Sequence, residues 1–215
     1  MSQGRLRLLA LATLVLPSAP AGCDRAAPEV PRADLSAAGG YAAAPFRDDA
    51  PANATVSPAD FPLAFVDSDG NPVDLTRYRG KQRVVLVVLR GVPRSERGGF
   101  CPSCLAQVSS LMANREQFAS RGAEVLVVFP GRADRLGEFL RTARNQTPGE
   151  PEAVLRVLLD RECAACDRLG IRDDLAKPST YVLDTRGNVV YAYVGETSTD
   201  RPSVKAVLAQ LDKAE

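Results

Sequence analysis

Hydrophobic and polar positions fall into three regimes along the chain. From Leu8 to Leu16 apolar residues run almost unbroken, a stretch too short to span a bilayer by itself. From residue 24 to 57 Ala, Pro, Gly, Asp and Arg alternate without a sustained period, the composition of a disordered tether. From Phe61 onward the pattern becomes regular. Leu63 to Val66 and Val73 to Leu75 predict a hairpin around the turn Asp67-Ser68-Asp69-Gly70-Asn71-Pro72. The β-branched run Val84-Val85-Leu86-Val87-Val88-Leu89 predicts a buried strand. Leu105, Val108, Leu111, Met112 and Phe118 recur at helical spacing, which predicts a helix from Leu105 to about Ser120. Further strands are expected over Glu124–Phe129, Val154–Leu159, Ser179–Leu183 and Val189–Val194, the last two joined by the turn Thr185-Arg186-Gly187-Asn188. Helices are expected over Arg132–Arg144, Cys163–Leu169 and Ser203–Lys213. Strands alternating with helices, then a terminal hairpin and helix, make an α/β layout: a central mixed β-sheet flanked by helices, with an N-terminal hairpin extension.

The chemistry concentrates where the 84–89 strand gives way to the following helix. Cys101-Pro102-Ser103-Cys104 places two thiols two residues apart at a strand-to-helix junction, a redox spacing. Unpaired N–H groups and the positive end of the dipole at a helix start stabilise a thiolate and lower its pKa. Pro102 suits the first turn, where its missing N–H costs nothing. Cys101 is therefore the expected nucleophile, and Cys104, on the same helical face, the resolving thiol.

Composition narrows the alternatives. The 215 residues contain no histidine, which removes Cys-His and Ser-His-Asp hydrolases and every His-ligated metal site. A net charge of +1 with no basic run gives no support for a nucleic-acid partner. No cofactor is implied.

Residues 1–22 read as an export signal: Arg5 and Arg7 precede the apolar run, and Pro17 to Gly22 supply small residues for cleavage. Ala19-Pro20-Ala21 fits an ordinary signal-peptidase site, while Ala21-Gly22-Cys23 resembles the end of a bacterial lipobox, with Pro20 where an aliphatic residue is usual. There are five cysteines, four of them in two close pairs. Lipidation of Cys23 removes the odd thiol. The expected domains are thus 1–22 signal, 23–57 tether and 58–215 folded, in a protein exported to the periplasmic side of the cell envelope and lipid-anchored to a membrane.

The folded segment resembles the thioredoxin-like fold of the alkyl hydroperoxide reductase/thiol-specific antioxidant (AhpC/TSA) and redoxin superfamily. The resemblance rests on Asp74-Leu75 with Tyr78-Arg79-Gly80-Lys81, on Phe100-Cys101-Pro102-Ser103-Cys104, and on Pro178-Ser179-Thr180-Tyr181-Val182-Leu183-Asp184 followed by Gly187. It implies that Pro178 is a cis-proline beside the Cys101/Cys104 pair, offering the Lys177 backbone to a substrate. Two positions depart from the peroxiredoxin branch: Gly98 stands where Thr or Ser precedes the peroxidatic cysteine, and Pro178 stands where that branch has a peroxide-binding Arg. Peroxide reduction needs donors that hold the peroxide and stabilise the leaving oxygen. Arg90, Arg94 and Arg97 are substitutes for them, and Glu96 is a candidate for the buried proton acceptor of thioredoxins.

Cys163-Ala164-Ala165-Cys166 forms the second pair. Three readings compete: a local structural disulfide, a relay to or from Cys101/Cys104, and a four-cysteine zinc site spanning both pairs. The local disulfide is the expected one, so no metal is expected. The function expected overall is thiol–disulfide exchange by the dithiol Cys101/Cys104, with a protein disulfide or dithiol as substrate and a recycling redox partner. Its alternatives are a peroxiredoxin-like peroxidase with Cys101 as the peroxidatic residue, and a non-catalytic binding module with structural cysteines.

Overall fold

The computed structural model describes residues 46–59, 61, 64–92, 99–147 and 155–214. The expected signal, Cys23, most of the tether, and Arg94, Glu96, Arg97 and Gly98 lie outside them.

Seven strands form one sheet: β1 (Ala64–Asp67), β2 (Pro72–Asp74), β3 (Arg83–Val88), β4 (Ala123–Pro130), β5 (Arg156–Asp160), β6 (Ser179–Leu183) and β7 (Val189–Val194), in the order β2-β1-β5-β4-β3-β6-β7. The central strands β3, β4 and β5 run parallel, while β6 and β7 continue one edge antiparallel and the β1–β2 hairpin the other. β3 and β4 are apolar along nearly their whole length because both faces are covered. Val85, Val87 and Leu89 face one core, against α1 (Pro102–Ala113), α2 (Arg115–Ala119), α3 (Leu136–Asn145) and α5 (Val204–Leu211). Val84, Leu86 and Val88 face a second core, with Phe61, Phe65, Leu75, Tyr181 and the cysteines bordering α4 (Ala164–Arg168).

The expected helix over Leu105–Ser120 is two helices. Asn114 leaves the helical region, its side-chain nitrogen bonding the Ser110 carbonyl at 2.8 Å and its oxygen accepting from the Gln117 side chain at 2.6 Å. Asn competes in this way with the helical ladder. The later start of α3, at Leu136, follows from the Arg132–Asp134 ion pair and the turn around Asp134.

A larger difference concerns the tether. Residues 46–57 are docked on the sheet edge. Asn53 behaves as an added pairing residue: its N–H bonds the Ala192 carbonyl at 3.1 Å, and its side chain exchanges bonds with both backbone groups of Val194 at 2.9 and 2.8 Å. Ala50 is buried and receives the Tyr191 hydroxyl on its carbonyl at 2.9 Å. Arg47 pairs with the backbone of residues 201–203, accepting from Ser203 N–H and donating to the Arg201 carbonyl. The low hydrophobicity that suggested disorder is that of a strap held by backbone bonds to an otherwise open strand.

A chain starting at residue 46 should keep the full stability of the domain. A chain starting at residue 58 loses the Asn53 and Ala50 bonds and should unfold with about 2–4 kcal/mol less stability. Urea denaturation of the two proteins checks this.

Candidate active site

The parallel strands end where the loop after β3 leads to Cys101. Gly91, with φ +87°, is required on this path, since a β-carbon there would lie 2.8 Å from the Pro130 carbonyl oxygen. Cys101 is the N-cap of α1, in extended conformation, and Pro102 takes the first helical position. The Cys101 carbonyl accepts the N–H groups of Cys104 at 3.0 Å and Leu105 at 3.1 Å. Its sulfur faces the N–H groups of Ser103 and Cys104. Cys101 is half-buried, whereas Cys104 lies one turn deeper and is buried.

Sequence reasoning missed the third member of this group. Arg201 precedes α5 and is only 1% exposed. Its Nη2 lies 3.1 Å from Cys104 Sγ and 3.9 Å from Cys101 Sγ, Nη1 donates to the Gln107 side-chain oxygen, and Nε donates to the Ser198 carbonyl at 2.9 Å. Among the described residues no carboxylate pairs with it. In the sequence, Arg201-Pro202-Ser203 looks like a solvated loop before a helix cap, and no local signal marks it as buried.

The loop carrying Arg201 is braced at several points. Asp200 accepts the Tyr193 hydroxyl at 2.6 Å and the Glu196 N–H at 3.0 Å, and pairs with Arg47 at 3.5 Å. Gly195 lets this loop close, because a β-carbon there would collide with the Asp200 carbonyl. Pro178 lies against the same glycine and accepts its N–H at 2.8 Å.

The two thiols are driven apart electrostatically. Cys101 is lowered to about 6, first by the hydrogen bond from the Cys104 thiol, with backbone N–H groups and Arg201 adding to it against desolvation. Cys104 is raised well above the ordinary thiol range, mainly by burial and by that same bond. One thiolate beside one neutral thiol is the state that dithiol chemistry starts from. A recess of about 230 Å³ opens beside Cys101, lined by Arg90, Gly91, Gly99, Phe100, Pro102, Asp174 and Leu175.

Pro178 immediately precedes β6, at the end of the sheet from which the Cys101 loop departs, since Ser179 pairs with Val88. The expected cis bond is corrected: the described residues contain no cis peptide. A trans bond is the lower-energy default for proline, and a strand start tolerates its missing N–H. Arg90 lines the recess by its position, and its backbone N–H faces the Cys104 sulfur.

Cys163 and Cys166 are free thiols in the second core, across the sheet from Cys104. All four described cysteines are in the thiol form, Cys101 and Cys104 included. The zinc reading fails on geometry, because the sheet separates the two pairs. Among the described residues no group of acidic or cysteine side chains is arranged to hold a metal.

A half-buried acidic thiol and a buried neutral thiol thus sit at a helix start on the mixed sheet of a thioredoxin-like fold. The chain belongs to the AhpC/TSA family, whose model matches residues 54–192. No curated protein matches it. Among solved structures it is similar to peroxidoxin BcpB from Mycobacterium tuberculosis, at 20% identity and TM-score 0.54, covering 78% of this chain and 99% of that one. It is also similar to Xanthomonas campestris peroxiredoxin Q, at 20% identity and TM-score 0.53, covering 76% and 99%. MTB dsbF, in its mixed oxidized and reduced forms, matches at 15% identity and TM-score 0.50, covering 74% and 100%. At these identities the likeness is one of fold.

Iodoacetamide alkylation of Cys101 should rise through a midpoint near pH 6 and be lost as pH falls below it. Cys104→Ala should move that midpoint upward more than Arg201→Met does, because the thiol hydrogen bond is the larger influence. At pH 6 the Arg201→Met protein should alkylate at least about threefold more slowly than the parent.

Proposed function

We propose that this chain is a thiol–disulfide oxidoreductase acting through Cys101 and Cys104. The observation that carries the proposal is the buried Arg201 guanidinium beside one half-buried, acidic thiol and one buried, neutral thiol.

The Cys101 thiolate attacks one sulfur of a substrate disulfide in the recess, forming a mixed disulfide and releasing the other half as a thiolate. Cys101 is then neutral, and Arg201 has lost the negative charge it faced. Its Nη2, at 3.1 Å, is already closer to Cys104. The Cys104 proton passes to the departing thiolate, and the guanidinium stabilises the new Cys104 thiolate. Cys104 attacks the Cys101 sulfur, expels the second half of the substrate and leaves the Cys101–Cys104 disulfide. A dithiol partner restores the reduced pair. Pro178 acts by holding Gly195 and the start of the Arg201 loop at the edge of the site.

A second reading is peroxide reduction, supported by the same arginine and by the small volume of the recess. There the Cys101 thiolate takes one peroxide oxygen to become a sulfenic acid and the rest leaves as an alcohol or water. The Cys104 thiol then condenses with the sulfenic acid, releasing water and forming the same disulfide. Arg201 would have to hold the peroxide as well as the thiolate, since Pro178 contributes no donor.

Two experiments separate the readings. Reduced protein mixed with hydrogen peroxide in stopped flow should react within about tenfold of an ordinary low-pKa thiolate, and a rate orders of magnitude higher moves the function to peroxidase. Cys104→Ala should accumulate a mixed disulfide with an added aromatic disulfide, and failure to trap any adduct counts against exchange.

The location proposed with this activity is the outer side of a membrane. It rests on the export pattern of residues 1–22 and on lipidation of Cys23. Among the described residues no helix is long and apolar enough to cross a membrane. Metabolic labelling with palmitate should mark the parent protein and not Cys23→Ala, which should also leave the membrane fraction. An unlabelled parent removes the anchor.

A further inference from the structure

The groups around Cys163 and Cys166 are arranged for chemistry that the Cys101 site does not use. β5 ends at Asp160, whose carboxylate is buried. One carboxylate oxygen accepts the Ala165 N–H at 3.2 Å and the other the Cys166 N–H at 3.0 Å. The Cys166 thiol donates to the same carboxylate. Cys163, at φ 54° and ψ 31°, is the one non-glycine residue with positive φ among the described residues. Side chains with a β-carbon avoid this region, and holding a cysteine in it turns the sulfur toward two donors. These are the Arg172 guanidinium and the Gly131 N–H. Arg172 is fixed there by both oxygens of Asp167, at 2.7 and 2.8 Å, and by the Glu162 carbonyl at 3.0 Å. On the inner side the Tyr181 hydroxyl is buried near Cys166 and faces the Ser179 side chain. A wide cleft of about 880 Å³ is lined by Gly131, Glu162, Arg161, Arg132, Asp134 and Ser68. Two of these residues adjoin the buried Cys163: Gly131, whose N–H faces its sulfur, and Glu162, which precedes it in the chain.

The geometry points to a second dithiol–disulfide couple, Cys163/Cys166, reached from the Gly131–Glu162 cleft and acting independently of Cys101/Cys104, with Asp160 as its proton acceptor. Cys163 attacks a disulfide R–S–S–R, giving a Cys163–S–S–R mixed disulfide and one RS⁻. Asp160 takes the proton of Cys166, and Cys166 attacks the Cys163 sulfur. The Cys163–Cys166 bond forms, the second RS⁻ leaves, and the two thiolates end as RSH with the two protons of the dithiol. The dithiol is oxidised by two electrons and the disulfide reduced by two.

The two couples differ in character. Both thiols of the second pair are raised, first by burial, and the Asp160 charge raises Cys166 further. At neutral pH the first pair is stabilised as a thiolate and the second, held protonated, lacks that stabilisation, so the second couple is the slower and more reducing one. The sheet between the pairs makes it a separate site and not a direct relay.

The test uses the full chain carrying Cys101→Ser and Cys104→Ser, equilibrated in mixtures of reduced and oxidised dithiothreitol, acid-quenched and mapped by mass. A Cys163–Cys166 disulfide should form reversibly in the native protein. It should persist to a reduced/oxidised ratio at least about tenfold higher than the Cys101–Cys104 disulfide does in a Cys163→Ser/Cys166→Ser chain. Thiols that stay reduced until the protein is denatured overturn the proposal, as does a disulfide that forms only between molecules. Asp160→Asn should slow closure of the pair severalfold at pH 7 while leaving Cys101 alkylation unchanged, and equal closure rates overturn the role of Asp160. If that variant does not fold, the pH profile of closure in the Cys101→Ser/Cys104→Ser chain decides it. A full tenfold rise in rate per pH step means that solvent alone removes the proton, and a shallower rise means that the carboxylate does.

Discussion

A buried guanidinium that meets no carboxylate among the described residues is the constraint on which this molecule turns. Removing a cation from water costs several kcal/mol even after the surroundings relax, and that cost is recovered only by an anion and by well-placed acceptors. Arg201 has the Gln107 and Ser198 oxygens as acceptors, and its anion is the thiolate of the Cys101/Cys104 pair. The dependence is mutual. The arginine adds to the Cys104 hydrogen bond and the backbone N–H groups in keeping one proton off the pair, and the pair makes burial of the arginine tolerable.

The rest of the architecture serves to hold that guanidinium still. Residues 46–50 clasp the backbone on either side of it, Asp200 ties the loop to Tyr193 and Arg47, and Gly195 admits the loop against Pro178. Each of these is far from Cys101 in sequence. An N-terminal strap whose composition is that of a linker therefore reaches the chemistry through a backbone ladder to residues 201–203. Bending of the strap away from the edge would loosen Arg201 before it disturbed the sheet.

The elements that could be read from the sequence are those whose cause is local. Strands β3, β4, β6 and β7 follow from β-branched runs buried on both faces, and the start of α1 follows from Pro102 and the cysteine spacing. Arg201, the Asn53 pairing and the break at Asn114 depend on partners tens of residues away or on a competing side-chain bond, and no window of the sequence contains them. The cis form of Pro178 came from the family resemblance, and the structure keeps the trans bond. Glu96, the acid that the sequence offers near Cys101, lies outside the described residues, and the buried carboxylate of Asp160 lies on the other side of the sheet under the other cysteine pair.

That placement explains how one spacing of two cysteines takes on two characters in a single fold. At Cys101 the N-cap residue is extended, its sulfur meets two backbone N–H groups and an arginine, and the thiol below donates to it. At Cys163 the backbone is left-handed, and the buried thiol one turn on donates to a carboxylate instead of to its partner sulfur. At the first pair the Cys104 hydrogen bond, helped by the cation, draws a proton off; at the second, burial, helped by the anion, keeps the protons on. The motif supplies only the reach between two sulfurs. What surrounds the sulfurs sets whether the pair is poised to attack at neutral pH or stays protonated.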